Sequence, residues 1–177
     1  GHVNAMAASV QHFIAKYPLA AMGEGDVFLT NDPWLGTGHL NDFTVVTPTW
    51  RNGEIVALFA CTAHVVDVGG RGFGPDGRQV YEEGINIPIM PLALGGKMNR
   101  MVLDIIAHNV RNPVEVEGDL YSLVACNAVG SKRMVSMMDE FGLANIDGLA
   151  DHIIDVSRKG MAAEIAKLPN GVYKNAM

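Results

Sequence analysis

The sequence predicts an α+β fold: a mixed or antiparallel sheet containing a β-hairpin, followed by a helical layer. Three observations carry this expectation. β-Branched and aromatic runs fall within the first hundred residues, an Asn-Gly dipeptide separates two of them, and apolar residues adopt helical spacing after residue 99. Strands followed by helices, rather than strict alternation, argue against a doubly wound α/β sheet.

Residues 3 to 17 place Val3, Met6, Val10, Phe13, Ile14 and Tyr17 on one face of a first helix, which Pro18 stops. Val27-Phe28-Leu29 reads as a short buried strand running into the turn cluster Asn31-Asp32-Pro33. Phe43 to Thr47 and Ile55 to Val66 are the next strands, and Arg51-Asn52-Gly53 between them carries the signal of a tight antiparallel hairpin. From Gly69 to Gly77 five of nine residues are glycine, which predicts a flexible or unusually folded loop. Pro88 and Pro91 then keep the chain extended.

Beyond this point Met101, Val102, Ile105, Ile106 and Val110 follow helical spacing, with Asn99 as N-cap and Pro113 both ending that run and suiting the first turn of a longer helix. Two more helices are expected. One spans 113–141, turning Val116, Leu120, Leu123, Val124, Ala128, Met134 and Met138 inward; the other spans 147–168, with Leu149, Ile153, Ile154, Met161 and Ile165 inward. The chain thus divides by pattern into a strand-rich part, 1–98, and a helical part, 99–168.

Composition narrows the function classes. A length of 177 residues with 49% hydrophobic and 18% charged residues suits one globular domain with a sizeable core. The net charge is −6, and the 13 lysines and arginines are scattered, with no basic run longer than Lys132-Arg133, which argues against a nucleic-acid surface. No stretch reaches the apolar length of a bilayer span, and no basic-then-apolar leader opens the chain, so a soluble, cytoplasmic protein is expected. Cys61 and Cys126 lack C-x-x-C spacing and read as reduced core residues. Helical patterning that begins at about Val3 and a closing Gly171-Val172-Tyr173-Lys174, which reads like the start of a strand, give both ends a cut look.

The chemistry concentrates in Gly36-Thr37-Gly38-His39-Leu40-Asn41-Asp42, where an imidazole and a carboxylate lie three residues apart ahead of a strand. A hairpin folding near residue 52 sets Asp42 roughly opposite His64. Two imidazoles and one carboxylate suit Zn, Mn or Fe and leave positions open to water or a substrate oxygen, as in catalytic sites. Ordinary hydrogen-bonded histidines at strand ends fit the same pattern. Asp67 and Asp32 are candidates for a further ligand, an acceptor behind an imidazole, or a general base, and the residues do not rank these roles. In Glu82-Glu83-Gly84 one carboxylate, Glu83, is a candidate acid or base, against a solvated surface pair as the plainer reading. The glycine loop lacks both phosphate-loop and dinucleotide spacing, so nucleotide binding by this chain is not expected. Arg111 and Asn109 suit either a carboxylate clamp or a helix end, and His2, His12, His108 and His152 read as structural.

Several of these stretches together resemble the B-type subunit of the hydantoinase/oxoprolinase family. They are Gly25-Asp26-Val27-Phe28-Leu29-Thr30-Asn31-Asp32-Pro33, Gly38-His39-Leu40 to Asp42, and His64 to Asp67-Val68-Gly69-Gly70. Glu82-Glu83-Gly84-Ile85-x-Ile87-Pro88, Asn109-Val110-Arg111-x-Pro113 and Gly118-Asp119-Leu120 extend the likeness over nearly the whole chain. Where many members carry two adjacent histidines, this chain has His64-Val65. The resemblance implies an internal fragment of a longer catalytic subunit, with His39, Asp42 and His64 as ligands of a divalent metal. It implies an A-type ATPase partner that uses ATP to activate a small-molecule substrate within a hetero-oligomer. The activity implied is hydrolysis of a cyclic amide such as hydantoin or 5-oxoproline, or alternatively carboxylation of acetone or acetophenone; a non-catalytic assembly module is the third reading.

Overall fold

The computed structural model describes residues 3–72 and 74–175, with the backbone alone at Val3. His2 and the Val3 side chain therefore lie outside the described residues. The element order is helix α1 (Val3–Lys16), strands β1 (Val27–Thr30), β2 (Asp42–Arg51) and β3 (Glu54–His64), short helix α2 (Val80–Glu83), strands β4 (Met90–Leu94) and β5 (Lys97–Met98), and helices α3 (Arg100–Asn109), α4 (Pro113–Glu140) and α5 (Asp147–Ile165). The fold is α+β. Its sheet is wholly antiparallel, in the order β3-β2-β1-β4-β5. The chain forms two compact units, one up to Ser136 and one from Met137 onward.

The β2–β3 hairpin closes at Asn52 and Gly53, both at positive φ (54° and 82°), the conformation that the Asn-Gly pair supports at low cost. A second hairpin, β4–β5, turns on Gly95-Gly96 (φ 54° and 77°); the sequence pattern gives no more than an extended stretch there, although Gly-Gly between apolar residues is the same kind of signal. The sheet is covered on both faces. On one, Val27, Leu29, Phe43, Val45 and Leu92 pack with Val102, Leu103 and Ile106 of α3 and Val116, Leu120 and Leu123 of α4. On the other, Phe28 and Val46 pack with Phe13 of α1 and with Met22 and Ile89. Burial on both faces makes β1 and the first half of β2 buried at every position, and explains why Val27-Phe28-Leu29 reads as a continuous apolar run rather than an alternating one.

Several sequence expectations need correction. Asn99 occupies the N-cap position of α3, but its side chain caps nothing; its Nδ2 donates to the Pro91 carbonyl at 3.3 Å. Met101 and Ile105 are exposed while Leu103 is buried. In α4 the inward line runs Val116, Leu120, Leu123, Asn127, so Ala128 faces solvent and a polar residue takes the core position. Asn127 is tolerated there because its Nδ2 donates to the carbonyls of Val45 and Phe59 and to Thr47 Oγ1, each at 3.2 Å, bridging neighbouring strands. In α5 Leu149, Ile153, Ile154, Met161 and Ile165 are all exposed. An apolar stripe states what a helix is able to bury, and a unit with one long helix supplies no second layer for it. Cys126 is exposed rather than in the core.

Candidate metal centre

β2 begins at Asp42 and β3 ends at His64, and the hairpin register makes the two residues direct cross-strand partners. The loop before β2 brings in the second imidazole. Asp42 N–H donates to the His39 carbonyl (3.1 Å), a tight turn that folds His39 back over the carboxylate. His39 Nε2 lies 2.9 Å from Asp42 Oδ2, and His64 Nδ1 lies 2.9 Å from Asp42 Oδ1. The two imidazole rings are 4.7 Å apart between centroids, tilted by 45°. Asp42 is buried and both histidines are exposed, so a carboxylate floor carries two imidazoles at the surface.

Three polar anchors fix this loop. Thr37 Oγ1 donates to Asp42 Oδ2 at 2.6 Å, setting the carboxylate plane. Asn41 Nδ2 donates to the Val65 carbonyl (3.0 Å), and Val65 N–H donates to the Asn41 carbonyl (2.8 Å), continuing the hairpin pairing past the strands. Asn31, fully buried, spans the loop and the following segment: its Nδ2 donates to the carbonyls of Leu40 and Ile85, both at 2.8 Å, and its Oδ1 accepts from Ile87 N–H at 2.7 Å. The sequence places Asn31 only in a turn cluster. Its one available signal is a polar residue leaving a buried apolar strand.

Burial by itself would raise the Asp42 carboxyl, but the Thr37 hydroxyl, the His64 hydrogen bond and the two imidazoles outweigh it and hold the group below the usual carboxylate range. An ionised carboxylate flanked by imidazole nitrogens is a divalent-metal donor set. One donor atom from each of His39, Asp42 and His64 lies within 4.8 Å of the others, compatible with the roughly 3 to 3.5 Å spacing that metal–ligand bonds of about 2.1 Å require. On the same face of the hairpin, the next pair beyond Asp42 and His64 is Thr44 and Thr62, and both hydroxyl oxygens are buried without a hydrogen-bond partner.

Asp32 and Asp67 have hydrogen-bond partners outside the triad. Asp32 Oδ1 accepts from the Trp34 amide at 2.9 Å, and its carbonyl accepts from the amides of Leu35 and Gly36; it shapes a turn. Asp67 accepts from Gly69 N–H at 3.0 Å, from the Arg111 amide, and from Arg111 Nη1 at 2.8 Å. Burial raises its carboxyl, but these donors together bring it below the usual range. Arg111 also donates to the carbonyls of Gly69 (3.2 Å) and Gly70 (2.5 Å), so it clamps a carboxylate of its own chain and pins the glycine loop beside the α3–α4 junction. Gly69, at φ +81°, is required there, because a side chain would collide with the Asn109 carbonyl. Glu82 is occupied with Arg71 (3.3 Å) and the Arg78 amide (3.4 Å). Of the three acid–base candidates, Glu83 shares a cavity with a triad residue: about 470 Å³, lined among the described residues by His39, Asn41, Gly72, Gly74, Pro75 and Glu83.

The family model for hydantoinase B/oxoprolinase matches residues 1–177. The chain belongs to the hydantoinase B/oxoprolinase family. Among its relatives, the beta chain of the caprolactamase of Pseudomonas jessenii is 29% identical over 155 residues, covering 86% of this chain and 27% of the relative. The B component of a putative D-/L-hydantoinase from a Pseudomonas species (strain NS671) is 30% identical over 154 residues, covering 85% and 26%. The crystal structure of the ATP-dependent caprolactamase from Pseudomonas jessenii superposes with a TM-score of 0.86 at 25% identity, covering 96% of this chain and 30% of that one. The chain thus spans less than a third of the length of these family members. Among the described residues, no helix is long and apolar enough to cross a membrane.

Proposed function

We propose that this chain is the metal-holding part of the B-type catalytic subunit of an ATP-dependent cyclic amidase that opens a hydantoin- or 5-oxoproline-type ring. The observation that carries the reading is the convergence of His39 Nε2, His64 Nδ1 and the Asp42 carboxylate at one end of the sheet. His39, Asp42 and His64 hold the divalent metal, whose charge offsets the negative charge that develops on oxygen when an amide is attacked. Asp42, kept ionised by Thr37 and the two imidazoles, orients both rings. Glu83, on the adjoining cavity wall, is the group placed to move a proton to or from the substrate. Asp67 and Asp32 act through the backbone they hold: Asp67 through the glycine loop that walls the cavity, Asp32 through the turn that precedes it.

ATP is used by a separate A-type ATPase subunit, so that the working enzyme is a hetero-oligomer and this chain needs no nucleotide site. The reading is tested by co-expressing the full-length protein with its ATPase partner and following ring opening of hydantoin, 5-oxoproline and caprolactam with ATP present or withheld. ATP-dependent ring opening that is abolished in His64→Ala and strongly reduced in Glu83→Gln supports it. ATP-dependent consumption of bicarbonate with a ketone, and no ring opening, would instead assign the site to carboxylation.

A further inference from the structure

We propose that the cleft beside the triad ends in an oxyanion-recognition subsite formed by Trp34 and Arg78, and that the substrate is a cyclic amide bearing a negatively charged group at its far side. This rests on the function proposed above. A second cavity, of about 590 Å³, is lined by residues that include Pro33, Trp34, Gly38, Arg78 and Glu83. It adjoins the cavity of His39 through the shared wall of Glu83 and through the Gly38-His39 step in the chain. Both volumes are in the range of small-molecule sites.

Trp34 is 73% exposed, yet it stands on a rigid turn. Asp32 Oδ1 accepts its amide, and the Asp32 carbonyl accepts the amides of Leu35 (3.1 Å) and Gly36 (2.8 Å). Ser9 of α1 adds a bond to the Leu35 carbonyl at 2.6 Å. A large aromatic held in solvent by an ordered backbone, with a ring face and an N–H to offer, is a feature of ligand surfaces rather than of cores. Arg78 differs from the other arginine of its loop. Arg71 is taken up by the Asp76 carbonyl (2.8 Å) and by Glu82, whereas Arg78 gives only its backbone amide, and its guanidinium has no hydrogen bond or ion pair among the described residues. An unspent guanidinium on a cavity wall matches a carboxylate or phosphate oxygen pair.

Glu83 is common to the two cavities: one is lined by Arg78 and Trp34, the other by His39. Its side chain lies against Gly77, its Cγ 3.1 Å from where a β-carbon at that position would sit. A substrate that places its amide near His39 and Glu83 presents its opposite side to Trp34 and Arg78. The oxyanion is then either a carboxylate on the ring, as in 5-oxoproline, or the phosphoryl group of the activated amide.

The test is isothermal titration of the full-length, metal-loaded protein with 5-oxoproline, with 2-pyrrolidinone (the same ring without the carboxylate) and with inorganic phosphate. Wild type, Arg78→Gln and Trp34→Ala are compared, with metal content measured on each sample. Binding of 5-oxoproline about 10-fold or more tighter than 2-pyrrolidinone, with that preference erased in Arg78→Gln while 2-pyrrolidinone binding is unchanged, is the expected result. Trp34→Ala should weaken both rings. Phosphate binding that depends on Arg78, without any preference for 5-oxoproline, supports the oxyanion subsite and assigns it to the phosphoryl group. Equal affinities of wild type and Arg78→Gln for all three probes would overturn the proposal. A wild type that takes up no metal on loading yet still shows the Arg78-dependent preference would refute the metal reading and leave the subsite standing.

Discussion

Asn31 offers the sharpest test of how the site is held in place, because one fully buried side chain makes three hydrogen bonds to two segments of chain far apart in sequence. In Asn31→Ala the Ile87 amide and the carbonyls of Leu40 and Ile85 all lose their side-chain partner, the first two in buried surroundings and the third in a half-buried one. An orphaned buried polar group costs about 1 to 3 kcal/mol, and the carbonyls retain some capacity to find other donors. A net loss of about 3 to 5 kcal/mol follows, a large share of the 5 to 15 kcal/mol that typically stabilises a domain. Asn31→Asp sharpens the test. It keeps the acceptor for Ile87 but points a carboxylate oxygen at the two carbonyls that Nδ2 now approaches at 2.8 Å. Only a protonated carboxyl can donate to either, so the destabilisation relative to wild type should be larger at pH 7 than near pH 4. Urea denaturation followed by circular dichroism measures both variants. Losses below about 1 kcal/mol in Asn31→Ala, or a pH-independent difference in Asn31→Asp, would refute the reasoning.

Three further outcomes are expected. Thr37→Val removes the 2.6 Å bond that orients Asp42 and should weaken divalent-metal binding about 10- to 100-fold, read by competition with a chromophoric chelator, while leaving the fold intact. Asp67→Asn should cost about 2 to 3 kcal/mol at neutral pH. Because the Asp67 carboxyl is held below its ordinary value, the advantage of wild type over Asp67→Asn is present above the ordinary carboxylate range. It should fade as pH falls through the lower folded value, visible as converging urea midpoints. Cys126, exposed, should alkylate at neutral pH, whereas Cys61 should react only on unfolding; burial, with the Cys126 sulfur beside it, pushes its thiol up to about 12. Mass spectrometry of iodoacetamide-treated native protein distinguishes the two.

The legible parts of this chain are those set by local chemistry. The Asn52-Gly53 turn fixes the β2–β3 register, so the meeting of Asp42 and His64 follows from a turn signal and a count along two strands, while His39 is brought in by the loop three residues before Asp42. The same logic applies to the Gly95-Gly96 hairpin, whose strands are too short for an alternation pattern to stand out. What the sequence does not disclose depends on partners far along the chain. Asn31 is explained by residues up to 56 positions away, Asn127 by strands about 80 positions earlier, and Asp67 by Arg111. Without those partners no local pattern pairs Asp67 with Arg111, and Asn127 gives no reason to prefer it over Ala128 for the core. The α5 stripe shows the converse limit: periodicity gives the face and says nothing of what lies against it.

The central claim is that His39, Asp42 and His64 form a metal centre, and the most direct test is metal content by plasma mass spectrometry. The full-length protein and its Asp42→Ala variant are purified without added metal. Close to one equivalent of Zn, Mn or Fe in the wild type, lost in a folded Asp42→Ala variant, is the expected result. No metal in either, even after incubation with each ion, or equal metal in both, would contradict it.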